Sequence, residues 1–249
     1  MLITLNAANQ LEAALQSLQF CDELVVVDSG STDNTLAIAQ QHGARIVQQA
    51  WLGFGPQKQF AVGLAQYDWV LCLDADERIS SELEHSIRNV FAAPTPPPFA
   101  GYDLPRCNYF LGRYLRHGEG YPDYSRRLFN RLHARWSNDP VHEKVEGLPT
   151  ALFAKLKGDI VHESAETLHG YLHKQNRYTT LQANELAKQN KWPRTHTLLF
   201  SPLFRFVKFY LVRQGFRDGW QGFIHITIGC INSFMKYAKT RERIMKLRS

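Results

Sequence analysis

The order of apolar and polar positions changes character along the chain. In the first ninety residues, short apolar runs alternate with stretches of helical spacing. Leu2–Thr4 reads as the end of a strand, and residues 9–18 carry apolar positions on one helical face. Residues 23–28 (ELVVVD) form a β-branched run that ends in an acid. Residues 33–42 predict a helix that Ser31 or Thr32 could cap, with Gly43 suited to its C-terminal end. Residues 45–48 predict a short strand, 57–65 a helix and 69–73 (WVLCL) a buried strand. Ser80 or Ser81 then caps a helix running to about residue 91. Strands alternating with helices predict parallel βαβ units, and strands this apolar predict a sheet covered on both faces. Ligands of such α/β sheets bind beyond the carboxyl ends of the strands.

Residues 93–99 (APTPPPF) break the pattern with prolines. Short strands such as YDLPRC and SRRLFN follow as far as residue 160. Helical spacing then takes over, over about 165–190, 197–214 and 218–240. No internal repeat is visible.

Composition adds limits. The 249 residues are 44% hydrophobic and 21% charged, a globular balance. Cys21, Cys72, Cys107 and Cys230 are far apart and form no C-x-x-C pair, so a disulfide framework or zinc cluster is not expected and a reducing cytoplasm fits. The opening residues show no secretory leader. The uncharged run 222–235 is shorter than the ~20 residues needed to span a bilayer. Charge is uneven: residues 171–249 hold 15 Lys+Arg against 3 Asp+Glu, while residues 1–170 hold 14 against 20. The C-terminal part is therefore expected to face something anionic, such as nucleic acid, anionic lipid or a phosphorylated glycolipid. No RNP, KH or zinc pattern accompanies the positive charge, which argues against a nucleic-acid partner.

Two sets of acids end predicted strands. Asp28 closes VVVD, and Asp74 and Asp76 follow WVLCL as D-A-D. A D-x-D at a strand end can hold Mg²⁺ or Mn²⁺ through hard oxygens, and such a cation neutralises a departing diphosphate. Alone, the same pattern reads better as a pair of solvated loop acids.

The strings VVVDSGSTDNT, GFGPQKQFAVGLA and DWVLCLDADERIS taken together resemble the inverting glycosyltransferases of family 2 over about residues 1–90. That resemblance implies the α/β nucleotide-sugar-binding fold called GT-A, a mixed sheet flanked by helices, followed here by a C-terminal helical extension. It implies a nucleotide-sugar-binding half over 1–98, an acceptor-binding half over 99–164 and a basic amphipathic extension over 165–249. GFGPQKQFA, LDADERIS, PDYSRRLFNR, VHE and GFRDGWQGF resemble most the branch that adds glucose β-1,4 to heptose in the lipopolysaccharide inner core. The implied partners are a UDP-sugar donor, a glycolipid acceptor and an anionic membrane surface. The implied location is cytoplasmic, or peripheral on the inner face of the cytoplasmic membrane.

Residue by residue, Asp28 matches the family acid that meets the uracil imide, and Lys58 a basic residue near ribose and diphosphate. Asp74 and Asp76 match ribose and metal ligands, Asp76 being the direct one. Asp33 reads as structural at a helix start. The family turn T-x-N-E is Thr4-Leu5-Asn6-Ala7 here, so Ala7 stands in place of an acid. Inversion needs one general base. Asp139 and Glu143 in SNDPVHEKV are the candidates, the V-H-E pattern favours Glu143, and His142 would orient it or touch the acceptor. His162 in GDIVHES is a candidate further metal ligand; a hydrogen-bonded structural histidine is the plain alternative. On a strand, Arg126 and Arg127 point to opposite faces, one toward a phosphate and the other toward solvent. Residues 198–216 (LLFSPLFRFVKFYLVRQGF) read either as an in-plane membrane-surface helix or as a helix packed on the catalytic domain; partial packing with an exposed basic rim is preferred because soluble proteins rarely leave so large an apolar surface bare. Rival functions are a polyprenyl-phosphate glycosyltransferase of the same fold, a nucleotidyltransferase, and a non-enzymatic nucleic-acid-binding protein.

Overall fold

The structure, a computed structural model, describes residues 1–138, 143–163 and 167–248. The chain divides into two compact units, Met1–Cys107 with Asp123–Glu163, and Asn108–Pro122 with Ser164–Ser249.

The first unit begins with β1 (Leu2–Thr4), α1 (Ala8–Gln16), β2 (Val25–Asp28), α2 (Thr35–Gln41), β3 (Arg45–Gln48) and α3 (Phe54–Gly63). Then come β4 (Trp69–Leu71), β5 (Leu73–Asp74), β6 (Glu77–Ile79) and α4 (Ser81–Ala92). One sheet is parallel, in the order β3-β2-β1-β5. Its central strand shows why an uninterrupted valine run was needed. Val26 packs into one cluster with Leu2, Leu11 and Leu15, while Val25 and Val27 pack into another with Val62 and Phe129. All three valines are buried, and each contributes roughly 1.5–3 kcal/mol by leaving water. The sheet is thus covered on both faces.

Local chemistry sets the helix ends. Ser80 caps α4, its hydroxyl accepting from the Leu83 N–H. Gly43 follows α2 at φ 71°, a left-handed turn that glycine adopts without strain. The expected cap of α2 by Ser31 or Thr32 is corrected: the helix starts at Thr35, and Ser31 is engaged elsewhere, with Asn6 and Asp28. Helix α3 starts earlier than its apolar spacing predicts, because Gly53 at φ 100° turns the chain and Pro56 suits a first turn.

The remaining strands are β7 (Gly101–Phe110), β8 (Arg113–Tyr114), β9 (Asp123–Asn130), β10 (Ala134–Trp136), β11 (Val145–Gly147), β12 (Phe153–Lys155) and β13 (Ile160–His162). A second sheet runs β4-β9-β7-β13-β6, with β12 pairing β7; β10 and β11 form a hairpin. The run WVLCL, predicted as one strand, serves both sheets. Leu71 pairs with Leu128 of β9, and Leu73 pairs with Leu2 of β1. The change occurs at Cys72, whose N–H donates to the Arg127 carbonyl while that of Leu73 donates to the Met1 carbonyl. This crossing brings β9 beside the end of β5.

The second unit is helical: α5 (Leu168–Lys188), α6 (Thr195–Phe206), a π-helical segment Val207–Val212, a 3₁₀ turn Gly215–Asp218 and α7 (Gly219–Arg248). Thr167 caps α5, and Lys239 on α7 donates to Asn176, Thr179 and Thr180 on α5. Asp218, buried, accepts from the backbone N–H of Arg116 and of His117 and from the His117 ring, which ties down the loop 115–118 and gives the GFRDGW string a structural role. Burial pushes the His225 imidazole down to about 4, with Arg205 acting in the same direction, so it packs as a neutral ring beside Phe110 and Tyr171. Among the described residues no helix is long and apolar enough to cross a membrane.

Candidate active site

Strands β2 and β5 flank β1, so Asp28 and Asp74 end at one edge of the parallel sheet, about 10 Å apart by strand spacing. Asp28 is 0% exposed and its carboxylate is fully engaged. Oδ1 accepts from the N–H of Gly30 (2.9 Å) and of Ser31 (2.8 Å); Oδ2 accepts from the hydroxyls of Thr4 (2.9 Å) and Ser31. Burial alone would raise its pKa, but the bonds from Ser31, Gly30 and Thr4 outweigh it and hold the carboxyl below the usual range. Asp28 builds the turn after β2, with both carboxylate oxygens engaged there. Asn6, at φ 50°, accepts from the Thr32 N–H, while the Ala7 N–H donates to the Thr35 hydroxyl. Asp33 is structural, accepting from the N–H groups of Thr35 and Ala8.

The centre of the site is a chain of alternating charges. Lys58, buried on α3, places its ammonium 2.9 Å from Asp74 Oδ1 and 3.1 Å from Glu143 Oε1. Arg127 Nη2, from β9, donates to Asp74 Oδ2 (2.8 Å) and to Glu77 Oε1 (2.9 Å). Both Asp74 oxygens thus face cations. Burial works against its charge, but Arg127 and Lys58 overcome that and hold the carboxyl far below the usual range. The ring of Trp136 lies under both cations, 4.8 Å from the Lys58 ammonium and 5.6 Å from the Arg127 guanidinium. Arg127 Nε and Nη1 are buried without a hydrogen-bond partner, so the guanidinium keeps donors in reserve. Of the two expected orientations, Arg127 takes the site-facing one. Arg126 is not solvent-directed: it pairs with Asp103 at 2.9 Å and stacks on Phe153.

Glu77 is a site residue that the sequence motifs do not single out. It is 1% exposed, accepts from Arg127 and from the Asp74 N–H (3.0 Å), and lies 3.4 Å from Arg106, which also pairs with Asp123. The clue was present in D-A-D-E: an acid next to an apolar strand and followed by alternating residues, Glu77 and Ile79 inward with Arg78 between them.

Strand β13 sets His162 opposite Glu77, and the Glu163 N–H donates to the Asp76 carbonyl. His162 Nε2 stands 3.0 Å from Asp76 Oδ2, both side chains partly exposed. The pair is within direct hydrogen-bond distance, and of the two the Asp76 carboxylate is the hard oxygen donor that Mg²⁺ or Mn²⁺ favours. Among the described residues no group of three such donors exists. A cation held here would therefore draw its other ligands from phosphate and water, the usual arrangement for Mg²⁺. Asp139 and His142, the other candidates near the base, lie outside the described residues.

Gly55 in the first turn of α3 keeps Glu143 close to Lys58. A Cβ built there would fall 2.2 Å from the Ser137 carbonyl oxygen and 3.3 Å from the Glu143 Cβ. Gly55→Ala is expected to cost about 1–3 kcal/mol through forced separation of α3 from this segment. Thermal melting checks this, and an unchanged Tm would show that the close approach is not needed.

A family profile described as Glycosyl transferase family 2 matches residues 1–144. The chain is 30% identical over 249 residues to the lipopolysaccharide core biosynthesis glycosyltransferase LpsC of Rhizobium meliloti, covering 97% of this chain and 91% of that protein. It is 32% identical over 255 residues to an uncharacterized glycosyltransferase of Rickettsia felis, covering 98% and 89%. Among solved structures it is similar to the mannosyltransferase PcManGT of Pyrobaculum calidifontis in complex with GDP-Man and Mn2+, at 14% identity and a TM-score of 0.50, covering 100% of this chain and 86% of that one.

Proposed function

The chain belongs to glycosyltransferase family 2 and has the GT-A α/β fold, and from that premise we propose that it moves a hexose, glucose by branch resemblance, from a UDP-sugar to a lipopolysaccharide core with inversion. The name of LpsC supports a glycolipid acceptor. Such an acceptor lies at the inner face of a membrane, where the cation-rich residues 171–249 would meet anionic headgroups.

The observation that carries this reading is the shared Lys58 ammonium, which joins the end of the D-A-D strand to Glu143, a residue 85 positions after Lys58. Donor-handling and proton-accepting groups thereby meet through one cation. In the proposed reaction the acceptor hydroxyl oxygen attacks the anomeric carbon, the bond to the diphosphate breaks, and Glu143 takes the hydroxyl proton. A diphosphate reaching Lys58 competes with Glu143 for the ammonium and leaves the carboxylate free for that proton. The unpaired donors of Arg127 suit a phosphate oxygen or the ribose. Asp76 and His162 would hold the divalent cation, whose chemistry is to offset charge on the departing diphosphate. Asp74 keeps Lys58 and Arg127 in place and would face the donor's ribose.

Melting the protein with UDP, with and without Mn²⁺, tests the donor half of this reading. At ligand about 100 times its Kd, UDP with Mn²⁺ is expected to raise Tm by roughly 5–10 °C. Asp76→Ala should remove the metal-dependent part of the rise. A shift that is the same with and without Mn²⁺, or no shift with any nucleoside diphosphate, would defeat the reading.

A further inference from the structure

We propose that the second unit docks on a lipid bilayer by inserting an apolar face into it, and not by charge alone. This deepens, and rests on, the membrane part of the reading above. Helix α6 and the π-helical segment after it contain no buried residue, although they are among the most apolar stretches of the chain. Leu199, Leu203, Phe204, Leu211 and Val212 form a stripe, with Phe204 70% and Val212 72% exposed. The expected partial packing is present, with Ser201 bonded to Ser233 and Phe206 against Phe223, and Lys208 is exposed at the rim; two other cations of the stretch are engaged. Arg205 is paired to Glu119, and Arg213 donates to the Tyr121 carbonyl. On α7, Trp220, Phe223, Ile231 and Phe234 recur at helical spacing and are also exposed. Ring contacts of Phe206 and Tyr210 with Phe223 join the two stripes.

Charge selects the occupant. Between residues 195 and 234 the sole acid is Asp218, which is buried against the 115–118 loop, so this stretch exposes no carboxylate. Lys208 and Arg217 are exposed within it. An apolar face bordered by cations and lacking anions matches the boundary between anionic headgroups and acyl chains, where in-plane helices lie. Soluble proteins seldom leave such an area uncovered.

Salt separates insertion from charge attraction, since screening weakens the second and spares the first. The full chain is floated with phosphatidylglycerol–phosphatidylcholine vesicles at low and at high salt. Binding is expected at both, and Leu203→Glu/Phe204→Glu is expected to reduce it by about tenfold or more while melting as the wild type does. Loss of wild-type binding at high salt would overturn insertion and leave charge attraction standing. Flotation of the double variant equal to that of wild type would also overturn it. So would a wild-type dimer, seen by light scattering, that the double variant dissolves with no change in flotation, because a second copy would then be the occupant. Transfer to detergent-dispersed acceptor reports on the enzyme separately, so a failed flotation and a failed transferase reading are distinguishable.

Discussion

Glu143→Gln is expected to lower the rate of sugar transfer by about two to four orders of magnitude, the usual contribution of a positioned general base. Its size is nearly that of the native residue, and the amide oxygen can still accept from Lys58, now at 3.1 Å from Oε1. The binding half of the site should therefore survive, with the UDP-dependent rise in Tm close to that of wild type. That split makes the test sharp. A loss of transfer together with loss of the UDP effect would mark Glu143 as part of donor binding. Transfer near the wild-type rate would remove it from the chemistry altogether.

Glu77→Ala is the second large effect, and here stability falls first. Arg127 is 3% exposed, and its bonds to Glu77 and Asp74 both come from one nitrogen. Removing one carboxylate leaves a buried guanidinium short of compensation and frees the Asp74 N–H; breaking a buried pair in this way costs about 3–5 kcal/mol. Denaturant unfolding measures it. Glu77→Gln, which keeps an acceptor, should lose less. Equal, small losses for both would mean that water replaces the carboxylate and that Glu77 carries little of the site's order.

Much of the fold was legible. The valine run of β2, the D-A-D strand end and the serine cap of α4 each follow from local chemistry, and the structure has them where periodicity set them. Less legible was anything that depends on pairing between distant segments. No local signal says that WVLCL changes sheets at Cys72, since a fully apolar run looks the same whichever neighbours it has. The occupation of Asp28 by Thr4 and Ser31 was hidden for the same reason, because hydrogen-bond partners are not written in spacing. The exposure of α6 runs against the ordinary rule that apolar spacing means burial. Lys58 and Glu143 were each found through motif resemblance, but their 3.1 Å contact needed the fold.

The exchange of sheets at Cys72 has a consequence for how such a catalyst can diversify. A single covalent step fixes the offset between the layer carrying Arg127 and the layer carrying Asp74, so the corner where those two side chains meet is dimensioned by main chain. A change of length in the β10–β11 connection moves Glu143 against Lys58 and leaves that offset alone. A single added residue between Val70 and Leu73 would do the reverse, turning alternate side chains inside out across two sheets at once.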